Sequence, residues 1–161
     1  MPADMFLKID SIPGESQDKK HPKEIDVLAY GWGASQSGSF HEGGGGGAGK
    51  ASFQNFNFTK QIDASSTKLL KAVAKGQHIK EAVFTVRKAG GEQPVEYLTI
   101  TMKEVMVTSY GLTGSKGDDI VNESVSLNFA KIEFEYKPQT AAGGAGSKSV
   151  FGFNIKENAE M

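Results

Sequence analysis

Cysteine is absent from this chain, which excludes disulfides, thiol nucleophiles and cysteine-bound metal and leaves the redox compartment unmarked. Nothing approaches the run of about 20 apolar residues that a membrane-spanning helix needs, so membrane insertion is not expected. The start, Met1-Pro2-Ala3-Asp4-Met5-Phe6-Leu7-Lys8-Ile9-Asp10, lacks the basic region, the longer apolar core and the small-residue cleavage site of a secretory signal. Synthesis as a soluble cytoplasmic protein is therefore expected, with any export using a route other than a cleaved signal peptide. Charge of one sign is also missing: 18 basic residues against 19 acidic ones leave a net charge of -1, which supplies no long-range attraction to nucleic acid or to an anionic membrane. The three histidines, His21, His41 and His78, form no H-x-x-x-H or H-x-H pair, so no metal site and no cofactor are expected.

Glycine, by contrast, is plentiful. The run Gly43-Gly44-Gly45-Gly46-Gly47-Ala48-Gly49-Lys50 almost spells a nucleotide-binding loop, which needs G-x-x-x-x-G-K, then Ser or Thr for the metal, between a buried strand and a helix. Position 51 is Ala51, and Ala51 to Phe58 alternates like a strand, so no helix amino terminus would face a phosphate. The run reads instead as a flexible exposed arm, because consecutive glycines are costly to order and bring no side chains to pack.

The 161 residues, 38% of them apolar, suit one domain over 1–161 with a core able to fold without staples. Period-two alternation predicts strands at Met5–Ile9, Ile25–Tyr30, Phe53–Phe58, Ala82–Arg87, Val95–Met102, Glu104–Ser109, Ser124–Phe129, Lys131–Lys137 and Val150–Ile155. Phe56, Phe58, Phe84, Phe134 and Tyr136 take the inward parity. Ala89-Gly90-Gly91-Glu92-Gln93-Pro94 reads as a hairpin loop. After the capping side chains of Asp63-Ala64-Ser65-Ser66, the helical spacing of Leu69, Leu70 and Val73 predicts a helix of about two to three turns, stopped by Gly76. Lys68, Lys71 and Lys75 form its solvated face. The expected fold is mainly β: a small antiparallel β-barrel of two packed sheets with one α-helix on its side. Long loops at Pro13–Lys23, Gly33–Lys50 and Pro138–Lys148 either bind something or stay disordered.

No catalytic constellation emerges. His41-Glu42 lies on a flexible segment poorly suited to preorganised chemistry, and Asp118-Asp119 lacks the spacing and closing Glu of a calcium loop. Trp32, the single tryptophan, sits between Gly31 and Gly33 and reads as a core residue or as an anchor for a partner subunit.

The chain resembles the Hcp family, the haemolysin-coregulated proteins of the bacterial type VI secretion system. The resemblance rests on Phe6-Leu7-Lys8-Ile9, Gly14-Glu15-Ser16-Gln17-Asp18 with His21, Glu24-Ile25-Asp26-Val27 leading to Trp32-Gly33, and Ser35-Gln36-Ser37-Gly38. It continues through Asp63 to Ser66, Arg87-Lys88-Ala89-Gly90-Gly91 with Tyr97, and Leu127-Asn128-Phe129-Ala130 leading to Tyr136. It implies a fold similar to phage tail tube proteins and a structural, non-enzymatic role. In that role a homo-hexameric ring stacks into the inner tube, a contractile sheath drives the tube, a VgrG-type spike tips it, and effector proteins ride in the lumen under the ring's protection. Some relatives carry a carboxyl-terminal toxin domain; here the last strand pattern ends near Lys156, so none is expected. On this resemblance, ring stacking or subunit contact is expected of Trp32, Ser35, Gln36, His41, Glu42, Gly43, Gly44, Gly45, Gly46, Gly47, Gly49 and Lys50. The alternatives are a β-sandwich binding module for carbohydrate and a P-loop-like nucleotide-binding protein.

Overall fold

A computed structural model describes residues 3–38, 50–88, 94–139 and 146–161. The hairpin loop at 89–93, the arm from 39 to 49 and the tract 141–145 lie outside the described residues. Eleven strands and one helix follow in chain order: β1 (Ala3–Ile9), β2 (Ile25–Asp26), β3 (Ala29–Gly31), β4 (Ala34–Ser35), β5 (Ser52–Phe53), β6 (Phe56–Gln61), α1 (Ser66–Lys75), β7 (His78–Lys88), β8 (Glu96–Thr113), β9 (Asn122–Tyr136), β10 (Ser149–Asn154) and β11 (Ala159–Glu160). The fold is mainly β with antiparallel pairing throughout and a single described helix, as the alternation pattern predicts.

Two pairs of expected strands prove to be single long ones. β8 runs for 18 residues and β9 for 15, and each slips its inward parity at the same level. Met102 and Val105 both face the core although Lys103 and Glu104 lie between them, while Phe129 and Ala130, on facing β9, are both buried. Glu104 takes a left-handed φ of 54° at this point, and the Ala130 carbonyl accepts the Ile155 N–H at 2.8 Å. Period-two counting restarts there, so one bent strand reads as two. The opposite error falls at Phe53–Phe58, which breaks into β5 and β6; β5 pairs with β4 as a separate ribbon, and β6 pairs with β3 and β9.

The shared bend lets the sheet double over. The first half of β8 and the second half of β9 lie between β7 and β10, whereas the second half of β8 and the first half of β9 lead to β6 and β3. Segment 25–31 spans the seam: Val27 N–H bonds to Met5 O at 3.0 Å, on β1, and Leu28 N–H bonds to Thr59 O at 2.8 Å, on β6. Leu7, Phe56, Phe58, Phe84, Ile100, Met102, Leu127 and Ile132 fill the space between the halves, with Leu69 and Ala72 of α1 closing one side. Burial of such apolar side chains is the main favourable term. Leu70, expected inward, is 53% exposed because the buried stripe of α1 runs through Ser66, Leu69 and Ala72. Tyr136, also expected inward, is 45% exposed, since β9 outruns the core at its end. The helix stops at Gly76, whose left-handed φ of 60° lets its backbone N–H return to the last turn.

Loop 13–23 is folded on itself rather than open: Gly14 N–H bonds to Lys23 O at 2.8 Å and Lys23 N–H to Ser16 O at 2.9 Å. A methyl group at Gly14 would stand 2.6 Å from the Glu24 carbonyl oxygen and 2.8 Å from Ile25 Cα, both backbone atoms that a rotamer change cannot move. Gly14→Ala is therefore expected to destabilise the chain by about 1–3 kcal/mol, read as a lower urea midpoint with an unchanged slope; an unaltered midpoint would show that the loop gives way freely.

Candidate functional site

Two polar clusters and one surface organise this molecule. The first cluster begins with parity. Phe56, Phe58 and Lys60 share the inward face of β6, Glu123, Val125 and Leu127 share that of β9, and Lys60 lies directly opposite Glu123 in the ladder. Both side chains are fully buried. Lys60 Nζ donates to Glu123 Oε1, to Gln61 O at 3.0 Å and to Ser66 Oγ at 3.3 Å, and it meets Asp63 Oδ1 at 3.0 Å. Ser66 Oγ donates to Glu123 Oε1 at 2.9 Å, and Tyr110 O–H donates to Glu123 Oε2. Burial, reinforced by that bond to the Glu123 carboxylate, pushes the Tyr110 phenol up to about 12, so it stays a donor. These contacts fasten the start of α1 to β6, β8 and β9.

The second cluster holds loop 13–23 against β1 and the β7–β8 hairpin. Arg87 binds Asp18 through both carboxylate oxygens, at 3.1 and 2.5 Å, and Asp4 at 3.0 Å. Its guanidinium holds the Asp18 carboxyl well below the usual carboxylate range. His21 stacks on Phe6 with centroids 4.4 Å apart, and its ring nitrogens meet Glu24 at 2.9 Å and Glu96 at 2.6 Å. Burial opposes a charge on His21, but the hydrogen bonds to Glu96 and Glu24 outweigh it and raise the pKa above the ordinary value of 6.5. Asp18, His21 and Arg87, scattered through the motifs that carry the family resemblance, are thus one packing unit.

The surface is a four-stranded wall: β3, β6, the first half of β9 and the second half of β8. Its two edges differ. Among the described residues, β3 has a ladder partner on one side only, and so does Val107–Thr113 of β8, because its pairing with β7 ends at Met106. Both edges therefore keep backbone groups that no strand pairs. Exposed apolar side chains flank them, Leu28 and Tyr30 at one edge and Leu112 at the other.

Of the residues expected to contact partners, Trp32, Ser35, Gln36 and Lys50 are among the described ones. Trp32 is half-buried, its ring 6.3 Å from those of Phe53 and Phe134; among the described residues its indole nitrogen finds no partner although it is buried. Ser35 is exposed in the β4–β5 ribbon and Gln36 just beyond it. Lys50 is exposed and lines a groove of about 730 Å³ with His78, Lys80, Glu104 and Lys156. His41, Glu42, Gly43, Gly44, Gly45, Gly46, Gly47 and Gly49 lie outside the described residues. The chain enters strand β5 two residues after Lys50, so the glycine run is not followed by the helix that a phosphate loop needs. The Lys60–Glu123 network was overlooked from sequence although its signal was present: a lysine and a glutamate occupy inward parity positions on two strands that pair.

Removing one partner from a buried ion pair strands the other charge. Glu123→Ala is expected to cost about 3–5 kcal/mol in urea unfolding, while the double replacement Lys60→Met with Glu123→Leu recovers most of that loss; equal losses in both would contradict the pairing. For His21, a raised folded pKa contributes stability that is fully present below about 6.5, the unfolded value, and is lost as pH rises through the folded value. The stability gap between the wild type and His21→Gln should therefore be widest near pH 5.5 and shrink by pH 8.5; a gap that widens with pH would refute the clamp.

Comparison with known proteins places this geometry. Residues 6–136 match the family model described as type VI secretion system effector, Hcp. Protein hcp1 of Pseudomonas aeruginosa is 52% identical over 161 residues, covering 99% of each chain. A solved structure described as a type six secretion system protein superposes with a TM-score of 0.93 at 30% identity, covering 99% of this chain and 100% of that one. The crystal structure of Hcp1 from Salmonella typhimurium gives a TM-score of 0.81 at 36% identity, with both chains fully covered. A match spanning the wall, the doubled sheet and the clamped loop alike means that this chain belongs to the Hcp family of type VI secretion system proteins.

Proposed function

We propose that this chain is a structural subunit of the type VI secretion tube. Six copies close into a ring, rings stack into a hollow inner tube, and effector proteins travel in its lumen. In this reading the chain is made in the cytoplasm and leaves with the machine. Its partners are further copies of itself, the contractile sheath, a VgrG-type spike protein and the carried effectors. It works by enclosing space rather than by catalysis.

The observation that carries this reading is the wall with two unlike free edges. An edge of β3 that met the β8 edge of the next copy would extend the ladder head to tail, and a heterologous contact of that kind either closes into a ring or runs on as a filament. Closure at six comes from the family, since nothing in the edges counts copies. Pairing of this sort uses backbone groups, which explains how segments as bare as Ala29-Tyr30-Gly31 and Ser109-Tyr110-Gly111 can serve as an interface.

Stacking is a separate contact. The arm from His41 and Glu42 through Gly43, Gly44, Gly45, Gly46 and Gly47 to Gly49 and Lys50 is proposed to reach an adjacent ring, with Ser35 and Gln36 at its root and Trp32 beneath. Ordering so much glycine on contact carries an entropic cost, so stacking by the arm alone would be weak.

Six copies of a 17.2 kDa chain form a species of about 103 kDa, and native mass spectrometry at micromolar concentration is expected to find it. Monomers alone, up to millimolar concentration, would reject the ring. Deleting Gly43 to Gly47 is expected to leave that mass intact and to reduce tube length in negative-stain micrographs; tubes of unchanged length would rule the arm out of stacking.

A further inference from the structure

The chemistry of the bore can be read from the wall, and the reading rests on the ring proposed above. Its segments, Ala29–Gly31, Phe56–Gln61, 107–113 and 122–129, hold only two charged residues, Lys60 and Glu123, and both turn into the core and bind each other. The other face carries amides and hydroxyls: Asn57 and Thr59 on β6, Ser124, Ser126 and Asn128 on β9, and Thr108 on β8. Asn57, Ser126, Asn128 and Thr108 are tied together with Asn55. Ser126 Oγ donates to Asn57 Oδ1 at 2.5 Å, Asn128 Nδ2 to Asn55 Oδ1 at 2.9 Å, Asn55 Nδ2 to Thr108 Oγ1 at 3.2 Å and Thr108 Oγ1 to Ser126 O at 3.2 Å. Charged residues make up 23% of the chain, and the second half of β9 sets Lys131, Glu133 and Glu135 at its outward parity. The neutrality is therefore a property of one face and not of the composition.

Size decides which way that face turns. Four strands from each of six copies, about 4.8 Å apart, make a cylinder with a circumference of about 115 Å and a radius of about 18 Å before tilting. A 161-residue domain has a radius of gyration of about 15 Å, so six such bodies cannot sit inside the cylinder. They must lie outside it, which leaves the amide and hydroxyl face toward the axis.

We infer that the Asn57, Thr59, Ser124 and Ser126 face lines the bore and contacts cargo polypeptide through short neutral hydrogen-bonding groups, without selecting it by charge. A bore lined by one sign of charge would hold opposite segments and repel like ones, because six-fold repetition focuses the field. A neutral wall of amides and hydroxyls, several of them already bonded to one another, offers brief, exchangeable bonds to any backbone. Cargo of either charge is accommodated, and salt has little leverage.

The test mixes the assembled ring with two fluorescent peptides of equal length, one bearing six lysines and the other six glutamates, and follows anisotropy at low and high salt. The wild type is expected to bind both within about threefold of each other at either salt concentration, whereas Ser126→Lys should favour the acidic peptide by about tenfold at low salt only. A wild-type preference of about tenfold, no binding of either peptide, or an intact Ser126→Lys ring without preference would each overturn the inference. Native mass is read on the same samples. Monomeric wild type would sink the ring reading itself, a failure distinct from an intact ring that sorts peptides by charge. Should Ser126→Lys alone fail to assemble, Thr59→Lys, opposite Ser124 on the paired strand, carries the same test.

Discussion

Lys60 and Glu123 face each other across β6 and β9 with no exposed surface on either side chain, and much of the molecule is arranged to make that tolerable. A buried pair repays its desolvation only when the remaining hydrogen-bonding capacity is met. Asp63, Ser66, Gln61 and Tyr110 meet it here. Because those groups come from the turn before α1, from its first residue and from β8, satisfying the pair also fixes where the helix starts and how the doubled sheet registers. The wall's two charged side chains are thus both spent in the core, and its other face carries Asn57, Thr59, Ser124 and Ser126.

The far end of the sheet is governed by a different device. Arg87, His21 and Phe6 form a stack that binds loop 13–23 to the mouth of the β7–β8 hairpin. Gly14 supplies the close backbone approach that the loop needs. Long loops are ordinarily the mobile parts of a small β domain, and this one is built as part of the body. The seam at 25–31, which leaves β1 for β6, begins with Ile25 and Asp26 laddered to Leu7 and Phe6.

Much of the fold was legible because alternation is a local signal: β1 and β10 appear in the sequence near their observed limits, and β7 does so except for its start at His78–Glu81. It failed where the signal resets without the chain turning. At Lys103-Glu104 and Phe129-Ala130 a parity slip marks a bend rather than an end, and nothing local distinguishes the two. Tyr136 and Leu70 were misplaced for a related reason, since periodicity gives a direction but not the limit of the core. The polar clusters stood in plain view as Lys60 and Glu123 at inward parity, yet only the pairing of β6 with β9, a contact between residues 63 positions apart, turns them into a pair. The free edges are invisible to sequence, because they depend on where the pairing of β7 with β8 stops.

The arrangement we propose joins copies edge to edge through β3 and β8, with bodies outward and the neutral face inward. A cryo-electron microscopy reconstruction of the assembled chain at side-chain resolution tests it most directly. The account predicts β3 of one copy laddered to residues 107–113 of its neighbour, with Asn57 and Ser126 on the inner surface. A ring joined through other surfaces, or one with that face pointing outward, would contradict it.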